Sequence, residues 1–236
     1  MKTQKRIPKE EEGARKAVSD STIRRLSGYY RRLTEMEEED FPVASSKELA
    51  ARNGVTPAQV RKDFSLFGKF GRRGQGYAVK DLKEAIAGIL GICRTWNVAL
   101  VGLGKVGAAL FHYKEFRKQG FHIVAVFDND PAKIGGSLNG IEIYAPQRMR
   151  EIVQSKDIGI GIVAVPGEAA QATVDQLVAA GVKAILSFPM RRVTVPSGVH
   201  LRYVNMAVEM EGLSFLLVNQ GRKRSRISTV GAEQRS

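Results

Sequence analysis

Val98-Ala99-Leu100-Val101-Gly102-Leu103-Gly104-Lys105-Val106-Gly107 passes from an apolar run straight into a glycine-rich turn. A short apolar run ended by glycine reads as a buried strand, and the amphipathic stretch after it, Val106 to Arg117, reads as a helix. The G-x-G-x-x-G spacing gives each glycine a task. Gly102 permits a tight exit from the strand, Gly104 lets backbone approach a pyrophosphate, and Gly107 lets the helix pack closely on the sheet. Free N–H groups and the dipole at a helix N-terminus favour an anion, so Gly102, Gly104, Lys105, Val106 and Gly107 form the candidate phosphate cradle. The next apolar run, Ile123 to Phe127, ends in Asp128, 21 residues beyond Gly107. A carboxylate at that distance suits the ribose hydroxyls of NAD. Asp128 and Asp130 oppose a 2′-phosphate, and Asn129 offers no cation, so NAD⁺ and NADH fit better than their phosphorylated forms.

Strands and helices continue to alternate downstream. Ile141 to Tyr144, Ile158 to Val165, Val182 to Phe188 and His200 to Val204 read as strands, with helices at Pro146 to Gln154 and Glu168 to Ala180 between them. That alternation implies a doubly wound parallel sheet of the Rossmann type, with right-handed crossovers. A last helix, Asn205 to Asn219, is apolar on more than one face, and a helix of that kind must be buried. Little is left in one chain to bury it, which points to a partner subunit. Gly221 to Ser236 is basic, polar and without period, and reads as a disordered tail.

Upstream, the pattern changes. Residues 1–19 are polar and charged without an apolar period and read as a flexible segment. Ile23, Leu26, Tyr30 and Leu33 recur at helical spacing, so Asp20 or Ser21 caps a helix to about Glu37. Ser45 or Ser46 starts a second helix that Gly54 ends, and Thr56 caps a third, Pro57 to Phe67. This is a helix-turn-helix. Val60, Phe64 and Phe67 form its apolar stripe, leaving Gln59, Arg61, Lys62 and Ser65 in other directions, where some can face a major groove. Gly68 to Tyr77 follows as a basic, glycine-punctuated segment that reads as a β-hairpin wing with Arg72 and Arg73 at its tip. Asp81 to Cys93 reads as a helix leading into the nucleotide domain. The domains are then residues 20–87, a winged helix; 88–204, the Rossmann domain; 205–220, the dimerisation helix; and 221–236, the tail.

Charge agrees with that division. Of the net +13 over 236 residues, residues 1–87 carry +6, residues 88–220 carry +3 and the last sixteen carry +4. A basic N-terminal part suits double-stranded DNA, and the nearly neutral middle suits a nucleotide. One cysteine, Cys93, excludes an intramolecular disulfide and fits a reducing cytoplasm; its neighbours suggest packing. No apolar run reaches membrane-spanning length. Two rival classes have weaker support. An NAD-dependent oxidoreductase needs an acid, base or metal beside the nicotinamide, but His112, His122 and His200 have no metal-ligand spacing, and no second catalytic domain follows the sheet. A coenzyme A or other nucleotide-binding regulatory module would use the same glycine turn, and Asp128 argues against it.

Several of these segments together resemble one family. Val60-Arg61-Lys62-Asp63-Phe64-Ser65-x-Phe67-Gly68, Gly74-x-Gly76-Tyr77, the glycine turn followed by Tyr113, Phe127-Asp128-x-Asp130, Ala164-Val165-Pro166 and Leu213-Ser214-Phe215 are similar, in this order, to Rex redox-sensing transcriptional repressors. The resemblance spans about Ser21 to Val218. It implies a homodimer of winged-helix and Rossmann domains with the C-terminal helix exchanged, bound to inverted-repeat operators when free or with NAD⁺ and released by NADH. It places Arg61, Lys62, Ser65 and Phe67 in or near the recognition helix, and Arg72, Arg73 and Tyr77 in the wing. It adds Val165, Pro166 and Phe188 to the nucleotide site and puts Tyr113 near the nicotinamide end. Two departures stand out. Ser187-Phe188-Pro189-Met190 keeps the family's phenylalanine without its usual Ala-Pro, and Asn205 stands where some members have an aspartate.

Overall fold

The computed structural model describes residues 18–71 and 74–230, with side chains of the last helix described to Asn219. Residues 1–17, expected to be flexible, and Arg72 and Arg73 of the expected wing tip lie outside the described residues, as do residues 231–236. The chain forms two compact units, Met1–Arg94 and Thr95–Ser236.

The first unit contains α1 (Asp20–Glu38), β1 (Val43–Ala44), α2 (Ser46–Asn53), α3 (Pro57–Ser65), β2 (Tyr77–Ala78) and α4 (Val79–Leu90). Local chemistry sets the helix starts. Ser19, rather than Asp20 or Ser21, caps α1, its hydroxyl accepting the Thr22 N–H at 3.2 Å. Ser45 and Glu48 form a reciprocal capping box on α2, Gly54 ends it in the left-handed conformation, and Thr56 caps α3 ahead of Pro57. Leu26, Tyr29, Leu33 and Met36 of α1 pack with Leu49, Val60, Phe64 and Ile86 in one buried core. The wing closes differently from the sequence reading. Tyr77–Ala78 pairs antiparallel with Val43–Ala44, so among the described residues β2 belongs to a two-stranded ribbon with β1 and not to a hairpin within residues 68–79. Because α4 runs unbroken to Leu90, residues 88–94 belong to this unit rather than to the second. Cys93 is exposed, not packed.

Asp63, on α3, ties that helix to α1. Its side chain is 1% exposed and receives Arg25 Nε at 2.6 Å on Oδ2 and Arg25 Nη2 at 2.7 Å on Oδ1. The Tyr29 hydroxyl donates at 2.9 Å and the Gln59 amide at 2.8 Å. Burial by itself would raise the Asp63 pKa, but the donors from Arg25, Gln59 and Tyr29 outweigh it and hold the carboxyl below its ordinary value. Burial and the hydrogen bond to Asp63 push the Tyr29 phenol upward.

The second unit contains β3 (Trp96–Val101), α5 (Lys105–Phe111), α6 (Lys114–Lys118), β4 (Phe121–Phe127), β5 (Ser137–Leu138), β6 (Ile141–Tyr144), α7 (Met149–Ser155), β7 (Ile158–Val163), α8 (Ala170–Ala180), β8 (Ala184–Ser187), β9 (His200–Tyr203) and α9 (Met206–Val230). The sheet order is β5-β6-β4-β3-β7-β8-β9, parallel except for β5 on β6. A parallel sheet is buried on both faces. One face carries Ala99, Val101, Phe127 and Val163 against α7 and α8, the other Val98, Leu100, Val126 and Ile162. The order reverses at β3, between β4 and β7, and such a switch point is where ligands sit in folds of this class.

Two elements differ from the sequence reading. The helix expected over Val106 to Arg117 breaks at His112 and Tyr113 into α5 and α6: Phe111 packs toward the sheet, while Tyr113 turns outward and meets Phe116 edge-on at 5.1 Å. The last helix begins at Met206 and continues past Gly221, where a disordered tail was expected, to Val230. No proline interrupts it, and arginine and lysine are good helix formers. Met206, Val208, Met210, Leu213, Phe215, Leu216, Leu217 and Val218 are all more than half exposed.

The Asp63 cluster yields a stability prediction. Asp63→Ala leaves the Arg25 charge and the Tyr29 hydroxyl without their partner, and we expect a loss of about 3–5 kcal/mol, read by urea unfolding of the full chain followed by circular dichroism. A carboxylate with a depressed folded pKa stabilises above its unfolded value, about 3.9. That contribution disappears as pH falls through the lower folded value, so the wild type should lose stability below about pH 4 with a component missing in Asp63→Asn.

Candidate nucleotide site and nucleic-acid interface

At the C-terminal end of β3 the backbone is crowded. Gly102 has φ +93°, and a Cβ there would stand 2.7 Å from the Ala164 carbonyl oxygen; a Cβ on Gly107 would stand 1.9 Å from that of Gly102. Glycine is required at both positions, the first for conformation and contact, the second for contact alone. Gly104 differs: nothing lies within 4 Å of the place a Cβ would take. That open space is what a close approach of pyrophosphate to backbone needs. No side chain caps α5 at Gly104, so its first N–H groups remain available to an anion.

Beside the turn lies a cavity of about 240 Å³, bordered by Gly102, Gly104, Asp128, Val165 and Pro166. Asp128 is 6% exposed. Its Oδ2 accepts the Leu103 N–H at 2.6 Å and the Lys133 ammonium at 3.2 Å, and its Oδ1 accepts the Asp130 N–H at 2.9 Å. Burial would raise its pKa, yet the backbone donors of Asp130 and Leu103, with Lys133, hold it below the usual carboxylate value. The acid is therefore ionised and oriented toward the end of the glycine turn, suited to accept from vicinal hydroxyls. The residues fit a dinucleotide: an open backbone cradle for phosphates and a fixed carboxylate one strand away.

Not every expected residue lines this cavity. Lys105, Val106 and Gly107 open α5 behind it, and Tyr113, 54% exposed, borders a different cavity with Phe116 and Phe121. Phe188 packs instead with Leu103, Leu110 and Leu186 under the other face of the sheet. Lys133, Thr173 and Gln176 do line the cavity and were not foreseen. Lys133 had a signal, a lone lysine five residues after the acid; Thr173 and Gln176 had none, being two ordinary positions on a helix.

In the first unit, Arg61, Lys62 and Ser65 are exposed on α3. Arg61 and Ser65 border an open groove of about 610 Å³ with Ser45, Lys47 and Lys69. Lys47, an isolated lysine at the start of α2, was missed by the sequence reading, and Lys69 was passed over in the basic segment after α3 because only the two arginines were placed at its tip. Three expected contacts turn inward. Tyr77 is buried, its ring edge-on to Phe64 at 5.3 Å and its hydroxyl 3.2 Å from that of Ser46; Phe67 packs against the core; and Gln59 uses its amide on Asp63.

Comparison with known proteins agrees with both halves. Residues 17–65 match the family described as "Putative DNA-binding protein N-terminus", and residues 93–190 match the CoA binding domain family. The redox-sensing transcriptional repressor Rex of Desulfitobacterium hafniense is 46% identical over 208 residues, covering 88% of this chain and 98% of that protein. The chain belongs to the Rex family of redox-sensing transcriptional repressors. The Rex of Streptomyces coelicolor is 41% identical over 85% of this chain and 78% of its own length. Among solved structures, the Rex-family repressor RSP in complex with β-NAD⁺ and operator DNA aligns with a TM-score of 0.82 at 35% identity, over 89% of this chain and 97% of that one. RSP in complex with β-NADH aligns at 0.80 and 33% identity, over 89% and 99%. These Rex relatives are named as repressors, not as enzymes.

Gly107→Ala tests the crowded turn. Its added methyl meets backbone that cannot rotate away, so we expect the unfolding midpoint to fall by the equivalent of about 1–3 kcal/mol, measured by thermal denaturation, while Gly104→Ala leaves it nearly unchanged.

Proposed function

We propose that this protein is a DNA-binding transcriptional repressor that senses the NADH/NAD⁺ ratio, holding an inverted-repeat operator as a homodimer and leaving it when NADH binds. One observation carries the reading: an uncapped glycine turn facing a fixed acid and a capped helix-turn-helix with an exposed Arg61-Lys62 pair occur in a single chain whose Rex relatives it matches over most of its length. Arg61, Lys62 and Ser65 contact DNA, joined by Lys47, Lys69 and the arginines at positions 72 and 73. Gly102, Gly104 and the first N–H groups of α5 take the phosphates, Asp128 the adenosine ribose. Tyr113 and Phe188 serve the ring end once the partner subunit's α9 is in place. Among the described residues no helix is long and apolar enough to cross a membrane, and the reading places the protein in the cytoplasm with its DNA.

The mechanism is linkage. NADH relieves repression only by binding the operator-incompetent state of the dimer more tightly than the competent one. Moving such an equilibrium from one side to the other takes about 5.5 kcal/mol of differential binding. Nicotinamide and dihydronicotinamide differ by one positive charge and in ring planarity, so the discriminating contacts belong at that ring.

The CoA binding domain match favours one other reading, a coenzyme A ligand. Asp128 and Asp130 oppose the phosphate that coenzyme A carries on its ribose. A fluorescence anisotropy titration on the protein's own promoter region, at fixed salt with NADH, NAD⁺ and coenzyme A varied separately, separates the two. Release by NADH at concentrations where NAD⁺ does little supports the proposal; release by coenzyme A alone replaces it.

Variants should divide the functions. Lys62→Ala should weaken operator binding several-fold and leave NADH binding intact, whereas Asp128→Ala should weaken NADH binding at least tenfold and leave the ligand-free protein on DNA. Leu213→Asp with Leu217→Asp should turn a dimer into a monomer by light scattering, because two charges then stand on the apolar surface of α9.

A further inference from the structure

The sheet topology assigns an end to each half of a dinucleotide. With the acid at the end of β4 and the phosphate cradle after β3, the ring half extends over β7 and β8, the strands on the far side of β3. Two arginines, Arg191 and Arg192, stand in the segment that leaves β8. This segment is short and held at both ends. Before it, the Phe188 N–H donates to the Val163 carbonyl at 3.0 Å. After it, Val193 is gripped by the Tyr203 hydroxyl, which accepts its N–H at 2.8 Å and donates to its carbonyl at 3.1 Å. Gln171 of α8 does the same for Thr194, accepting its N–H at 2.8 Å and donating to its carbonyl at 3.1 Å.

The pinned segment places Arg191 beside the loop that continues from the wall of the nucleotide cavity, with Arg192 next to it in the chain. A Cβ at Gly167 would lie 3.6 Å from the Cβ of Arg191, and Gly167 directly follows Val165 and Pro166 of the cavity wall. Both arginines are exposed, and among the described residues neither is ion-paired; Glu168, the acid beside Gly167, makes no ion pair with either. Two cations without an acidic partner therefore stand in the segment beside that loop.

We propose that Arg191 and Arg192 are redox-specificity determinants: their charges disfavour the cationic nicotinamide of NAD⁺ and spare the neutral dihydronicotinamide of NADH. This rests on the dinucleotide reading above. Oxidised and reduced ligands share the adenosine, the riboses and the pyrophosphate, so contacts with those parts change both affinities alike. A positive charge near the ring changes one. Interaction between unit charges at a half-solvated site corresponds to about threefold to tenfold in affinity, and it weakens with salt.

The test is calorimetric titration of NADH and of NAD⁺ into the full-length protein, as wild type, as Arg191→Gln with Arg192→Gln, and as Arg191→Lys with Arg192→Lys. In the glutamine variant the ratio of the NAD⁺ to the NADH dissociation constant should fall about tenfold, mainly through tighter NAD⁺ binding, and the fall should shrink at high salt. The lysine variant, which keeps the charge, should keep the wild-type ratio. An equal change in both affinities would overturn the proposal by placing the arginines on the shared phosphates, and so would an unchanged ratio. Failure of the wild type to bind either nucleotide would overturn the dinucleotide reading itself, and the proposal with it. Unchanged circular dichroism in each variant confirms that the fold is kept.

Discussion

The second unit depends on a contact between two pieces of backbone. The carbonyl of Gly102 occupies the space that any side chain on Gly107 would need, so the first turn of α5 lies directly on the exit of β3. From that contact follow the uncapped start of α5, the open space over Gly104 and the reach of Asp128, whose Oδ2 bonds the Leu103 N–H inside the same turn. A side chain at Gly107 would lift the helix and separate cradle from acid. The sheet behind is buried on both faces, so the strand ends cannot move to compensate.

The first unit solves a similar problem with a charge. A helix that presents cations to a groove must keep a fixed angle to the helix behind it, and α3 does so through Asp63, fully buried between Arg25, Tyr29 and Gln59. A buried ion pair adds little net stability against an apolar alternative, but its geometry is directional where packing of aliphatic side chains is not. The carboxylate next to the exposed Arg61-Lys62 pair thus belongs to orientation, and the pair itself is left for a ligand.

The far end of the chain is unlike both. A helix with eight large apolar side chains each more than half exposed is not a stable surface in water, and burying them against a second copy removes that cost. The glycine turn and the acid stand together within one chain, whereas Tyr113 and Phe188 do not line the cavity beside them.

Much of this was legible in the order of residues. The strand, turn and acid of the nucleotide site, the capped helices around Gly54 and Thr56, and the apolar last helix all follow from local chemistry: a φ available to glycine, a hydroxyl three residues ahead of a free N–H, an apolar period. Local chemistry does not say which face a side chain turns to when two are open. Gln59 and Tyr77 were equally plausible outward, and only the packing of α1 on α3 and the pairing of β2 with β1 turned them in, while Phe67 stayed with the apolar stripe of Val60 and Phe64. Lys47 and Lys69 joined one groove through the approach of segments apart in sequence, whereas Lys133 reached Asp128 from only five residues away. The break at His112 was not legible from the apolar period, and the run of α9 beyond Gly221 follows the helix propensity of its residues rather than their lack of period. Sequence by itself determined which segments could be strand, helix, cradle and reader, because backbone conformation and periodicity are properties of neighbours along the chain. Which side chains stand together was decided by tertiary structure alone, because burial and pairing depend on what the rest of the fold brings to the same place.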